Sequence, residues 1–159
     1  MAATPALAAL TRAGVPHEVV KFGHDPRENS FGVEAVKALT PAGVAPGQIY
    51  KTLVIAVPDG LAVAVVPAAA RLSLKAAAAA LGVPKASMAD PAQVQRVTGY
   101  VVGAVSPFGQ RKPLPTVVDC SALGWQQMFC SAGRRGWDVA VAPQDLIRLT
   151  GAVTADLRA

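Results

Sequence analysis

The chain has 159 residues, 15 Lys and Arg against 10 Asp and Glu, and 52% apolar residues with few aromatics. This composition describes a single globular domain over residues 1–159 and excludes a disordered chain; the longest apolar runs, near Leu61–Ala70 and Ala76–Leu81, fall short of the roughly 18 residues a membrane-spanning helix needs. A net charge of +5 favours a polyanionic partner without demanding one.

Thr4-Pro5 places an N-cap ahead of a proline at the first helical position; Leu7 and Leu10 share a face, and Gly14 stops the helix. No basic segment precedes the apolar part of this N-terminus, so it does not read as a secretory signal and the expected compartment is the cytoplasm. Val15–Phe22 alternates as a strand entered through Pro16 and breaks at Gly23-His24-Asp25-Pro26. Ser30 is placed to cap a helix carrying Phe31, Val36 and Leu39, closed by Pro41 and Gly43.

Ile49–Val57 and Leu61–Val66, joined by Pro58-Asp59-Gly60, predict an antiparallel hairpin. Lys51 is out of character in the first of these strands, because a buried ammonium loses its hydration unless something compensates it. Either it snorkels from the strand end or it carries chemistry. Ser73 caps a helix over Leu74–Leu81 that Gly82 ends, and Asp90-Pro91 opens another through Val97. Gly99 stops that helix before a predicted strand, Tyr100–Val105.

A long loop, Ser106–Pro113, leads into a strand at Thr116–Asp119. Gln127–Cys130 and Trp137–Ala142 read as strands around a six-residue loop, Ser131–Gly136, whose two glycines can bring backbone N–H groups to an anion or an ester oxygen. Pro143 starts a last helix. About seven short strands with four or five short helices, and more hairpins than βαβ crossovers, predict an α/β protein of the α+β type. Its sheet or barrel is mixed and largely antiparallel, with helices outside.

The chemistry is narrowed first by what is missing. No G-x-S-x-G, G-x-G-x-x-G or Walker sequence occurs, and the two histidines, His17 and His24, lie together near the N-terminus without a nucleophile partner. Cys120 and Cys130 have no metal-ligand spacing and read as buried thiols, so neither a metal nor a cofactor is expected. Asp138 begins an apolar strand and can meet Lys51 if the two strands are close, as a structural ion pair or as the partner that keeps a cation beside a cleft. Arg111-Lys112 and Arg134-Arg135 lie in Gly-containing segments, either as solvated loop charges or as contacts to a phosphate backbone.

Six motifs in one order resemble the YbaK/EbsC-type Cys-tRNA(Pro) deacylases, relatives of the editing insertion of bacterial prolyl-tRNA synthetases. They are Phe22-Gly-His-Asp-Pro26, Ser30-Phe-Gly-Val-Glu34, Tyr50-Lys-Thr-Leu53, Met88-Ala-Asp-Pro91, Thr98-Gly-Tyr-Val-Val-Gly103 with Ser106-Pro-Phe-Gly-Gln110, and Ser131-Ala-Gly-Arg-Arg-Gly136. The resemblance implies a YbaK-like fold and a hydrolase acting in trans on tRNA mischarged with cysteine, whose size is too near that of proline for one pocket to separate them. It matches Lys51 to the family's essential lysine, and Phe22, Phe31, Thr52, Ser131, Gly133 and Asp138 to its pocket. Gly103 and Ser106 match the adjoining loop.

Its implied mechanism uses no protein nucleophile: the substrate's own thiol attacks its ester. Relatives also include deacylases that act on alanine through an activated water. The implied partners are the acceptor end of tRNA(Pro), met by Arg111, Lys112, Arg134 and Arg135, and prolyl-tRNA synthetase. Two positions depart from the pattern: Phe22 stands where many relatives carry tyrosine, and Ala132 where they carry one of a pair of glycines. A tRNA- or synthetase-binding module without turnover is the competing reading.

Overall fold

A computed structural model describes residues 4–22 and 31–159, with Phe31–Val33 described by their backbone. Ser30 and the His24 loop lie outside the described residues. The N-terminal half runs α1 (Pro5–Arg12), β1 (Glu18–Lys21), α2 (Phe31–Leu39), β2 (Tyr50–Val57), β3 (Gly60–Pro67) and α3 (Leu74–Leu81). It continues through β4 (Ser87–Met88), α4 (Pro91–Thr98), β5 (Thr116–Asp119), β6 (Met128–Arg134), β7 (Trp137–Val141), α5 (Pro143–Thr150) and β8 (Val153–Ala155). Helix starts follow their caps: the side chains of Thr4, Ser73 and Asp90 accept from Leu7, Ala76 and Gln93 N–H.

The described strands form two sheets, β1-β7-β6 and β4-β2-β3-β5-β8. The smaller is antiparallel throughout; in the larger, β2 pairs antiparallel with β3 and β4, while β5 pairs parallel with β3 and β8. The mixed, largely antiparallel architecture is thus as predicted, as two sheets joined at one corner by the Ile49–Phe129 bridge rather than as a closed barrel. Leu10, Val63, Val65, Val118, Met128, Val139 and Leu146 pack one core between the sheets, and Ile55, Val66, Val117 and Leu157 pack a second beneath α3. No helix among the described residues is long and apolar enough to cross a membrane.

Three expectations are corrected. Tyr100–Val105 is not a strand: Ala104 N–H closes a turn onto the Val101 carbonyl, Gly103 sits at φ +90°, and no strand of the described residues pairs with the segment. An apolar β-branched run makes a strand only where a partner edge accepts it, and this one instead caps a cavity. Ser131–Gly136 is not a six-residue loop, since β6 continues to Arg134 through a register shift between Ser131 and Arg134 and the hairpin turns at Arg135-Gly136. Cys120 is exposed, whereas Cys130 is buried. The short strands β4 and β8 carry too little pattern to be read from sequence.

Candidate active site

The site originates in how β2 is paired. On one side, β3 covers its whole length in the register Tyr50–Pro67 to Val57–Gly60. On the other, β6 packs alongside but pairs only with Ile49, just before β2, and β4 pairs only with Ile55 and Ala56, so among the described residues the edge over Lys51–Leu53 has no strand partner. A cavity of about 430 Å³ occupies the gap. Lys51, Thr52, Phe22, Gly103, Ser131 and Asp138 all line it, although they come from both sheets and the loop after α4.

Lys51 lies partly buried on the cavity wall, and burial lowers its ammonium pKa. Asp138 is 7% exposed, and burial raises its carboxyl to about 7. The ion pair expected between them does not form: among the described residues no carboxylate lies within ion-pair distance of Lys51. The reason is topological, for Asp138 stands opposite Val20 and Ser131 in the small sheet while Lys51 belongs to the large one. Each group keeps its own burial penalty beside the same space.

Thr52 Oγ1 is buried and has no hydrogen-bond partner among the described residues. Ser131 Oγ is engaged twice, donating to the Ala104 carbonyl at 3.1 Å and accepting from Gly133 N–H at 3.0 Å. That second bond takes up one of the N–H groups expected to meet an oxyanion. His17 donates through Nδ1 to the Val15 carbonyl and does not line the cavity. Among the described residues no cluster of His, Cys, Asp and Glu could hold a metal.

Other predicted residues fall elsewhere. Gly133 faces away: at φ +94° a Cβ there would stand 2.7 Å from the Tyr100 ring. Ser106 is buried behind the loop, its hydroxyl accepting from Phe108 N–H, and Phe31 opens α2 with its side chain outside the described set. Ala132 points into the core, and Phe22 supplies an apolar wall.

Of the four basic residues, Arg134 alone lines the cavity. Arg135 bonds the Val102 carbonyl from the hairpin tip, and the exposed Arg111 lies over Gly99 with Lys112 beside it. Sequence reasoning missed Trp137 and Lys21. The register puts Lys21, Trp137 and Arg134 side by side across the small sheet, with Lys21 Nζ 4.1 Å and the Arg134 guanidinium 4.9 Å from the indole centroid. The lysine at the end of β1 and the arginine three residues before the tryptophan become neighbours of it only through pairing.

Comparison with known proteins identifies the family and the fold. The family model "Aminoacyl-tRNA editing domain" matches residues 32–149. An Enterococcus faecalis (strain ATCC 700802 / V583) protein named "Putative Cys-tRNA(Pro)/Cys-tRNA(Cys) deacylase EbsC" is 32% identical over 155 residues, 97% of this chain and 92% of that one. A solved structure described as "Crystal structure of a putative trans-editing enzyme for prolyl tRNA synthetase" superposes with a TM-score of 0.84 at 31% identity, covering 98% of this chain and 95% of the other. The solved structure of "hypothetical protein APE2540" does so with a TM-score of 0.83 at 25% identity, over 98% and 100% of the two chains. The resemblance carried by the six motifs is borne out, and the chain belongs to the aminoacyl-tRNA editing and deacylase family of YbaK/EbsC type.

Proposed function

We propose that this protein hydrolyses Cys-tRNA(Pro) in trans, with Lys51 as the central catalytic group and the substrate thiol as nucleophile. The observation that carries the reading is an ammonium on a cavity wall with no carboxylate of the described residues within ion-pair distance. Such a group gains most from an anion or a developing negative charge, because its own burial cost is then offset. A thiol of ordinary pKa about 8.5 is partly ionised near neutrality, and a neighbouring ammonium raises the thiolate fraction.

The thiolate attacks its own ester carbonyl, forming the C–S bond of a cyclic thioester as the C–O bond to the terminal ribose breaks. The ribose oxygen leaves with a proton, and water opens the thioester to free cysteine. Asp138, raised to about 7, is matched to take the thiol proton and return it to the leaving oxygen. Ser131 Oγ is engaged on both sides, donating to the Ala104 carbonyl and accepting from Gly133 N–H, which fits a reaction without a protein nucleophile. Arg134, with Lys21 and Trp137 beside it, offers the acceptor end a cationic and aromatic flank, and Arg111, Lys112 and Arg135 are proposed as further phosphate contacts. Prolyl-tRNA synthetase is the proposed partner that supplies the tRNA.

One observation favours a second reading. A buried carboxyl near pH 7 is also suited to activate water, which would let the site remove alanine. Deacylation of Cys-tRNA(Pro) and Ala-tRNA(Pro) by wild type and Lys51→Ala separates the cases. Cysteine release alone, reduced about 100-fold or more by the substitution, supports the thiol route. Equal release of alanine moves the mechanism to water, and no release of either leaves a binding module.

A further inference from the structure

The parity of the β2–β3 ladder decides which backbone groups face the cavity. Ala68 N–H donates to the Ile49 carbonyl, so odd-numbered residues of β2 exchange hydrogen bonds with β3 and even-numbered ones turn theirs outward. Two independent bonds agree: Ala89 N–H donates to the Val54 carbonyl from the outer side, and Val63, opposite Val54, donates away to the Pro115 carbonyl. Thr52, opposite Val65, therefore presents its N–H and its C=O to the outer edge. That is where neither β6 nor β4 reaches it.

Backbone groups are seldom left unpaired without a reason. Here the N–H and C=O of one cavity-lining residue lie outside every strand pairing of the described residues on this edge.

In an antiparallel sheet two opposed residues exchange a pair of bonds, each giving its N–H and taking one at its C=O. An α-aminoacyl ester carries the same pair: an α-ammonium that donates and, two atoms away, a carbonyl that accepts. We infer that the aminoacyl group docks on Thr52 as a one-residue strand, its ammonium on the Thr52 carbonyl and its ester carbonyl on the Thr52 N–H. This inference rests on the deacylase reading and adds the attachment point.

It makes the Thr52 N–H an oxyanion donor, replacing the Ser131–Gly133 amides, and leaves the substrate side chain free to be judged by the cavity. It also sets the ester carbonyl next to Lys51 in sequence. Any α-amino acid can use the same attachment, so selectivity has to come from the walls.

The test removes one atom pair. Introducing threonine as its α-hydroxy acid replaces the residue 52 N–H by an ester oxygen and also weakens the Lys51 carbonyl that accepts from Val66, so the thermal midpoint should fall by only about 2–4 °C. The expected loss in kcat/KM on Cys-tRNA(Pro) is about 10- to 100-fold. Wild type should lose a similar factor on 3-mercaptopropionyl-tRNA(Pro), which keeps the thiol and lacks the amine. An ester variant as active as wild type overturns the inference.

A binding readout separates the inference from the reaction. Titration with 3′-cysteinylamino-3′-deoxyadenosine, and with its alanyl counterpart, should shift the Thr52 amide resonance and protect it from hydrogen exchange. If wild type cleaves no Cys-tRNA(Pro) yet either analogue protects Thr52, the docking mode stands and the substrate assignment falls. If neither does so, the docking mode falls whatever the enzyme hydrolyses.

Discussion

Replacing Asp138 by Asn should change how stability depends on pH, in a direction the structure dictates. The carboxyl is 7% exposed and its pKa stands at about 7, against about 3.9 in an unfolded chain. Between those values the folded state holds a proton that the unfolded state has lost, so stability falls as pH rises from about 4 to 7. It is flat on either side. A separation of about three pK units corresponds to a penalty on the order of 4 kcal/mol for carrying the charge at pH 8, fully absent below pH 4.

Asn keeps the shape and cannot ionise. Urea unfolding of both proteins from pH 4 to 8 should give curves that nearly meet at the acid end and diverge toward pH 8, where Asp138→Asn is the more stable. Taking the difference cancels every other titrating group. Parallel curves, or a wild type that gains on the variant as pH rises, would show that Asp138 is not desolvated and would remove it as a proton carrier matched to pH 7.

Further outcomes follow from other contacts. Gly133→Ala places a Cβ against the Tyr100 ring at a left-handed φ, and should cost about 2–4 kcal/mol by urea titration; a loss under 1 would mean the strand shifts freely. Asp119→Ala should cost about 3 kcal/mol, because this buried carboxylate accepts from Ser121 and Leu157 N–H and faces Arg158 at 3.6 Å. Arg134→Ala should weaken tRNA binding and lower the slope of log affinity against log salt by about 1, and Trp137→Leu should weaken it by releasing both flanking cations; an unchanged slope would take Arg134 off the phosphates.

Much of the fold was legible because it is local. Thr4, Ser73 and Asp90 announce helices through their caps, and the β2–β3 hairpin shows in its two apolar runs. Tyr100–Val105 misled because β-branched residues state a preference for a pleated surface, and whether one is offered is decided by distant chain. The glycines of Ser131–Gly136 were read as loop formers, whereas Gly133 accommodates a register shift and the Tyr100 ring. For the site, Lys51 was visible as a charge out of place. The absence of its expected partner was not visible, since that depends on two sheets that, among the described residues, pair strands with each other only through Ile49–Phe129. The Thr52 peptide could not be read at all, because ladder parity is a property of pairing.

The unpaired stretch of β2 has one more consequence, for solubility. A bare strand edge is a template on which other chains can add, and folded proteins normally shorten, charge or bury such edges. Here the exposed length between the Ile49 and Val54 contacts amounts to the groups of about one residue, set back in a cavity and flanked by the Lys51 ammonium. It is long enough for an amino acid and too short for a foreign strand. The protein can thereby keep a main-chain binding edge permanently open without inviting its own aggregation.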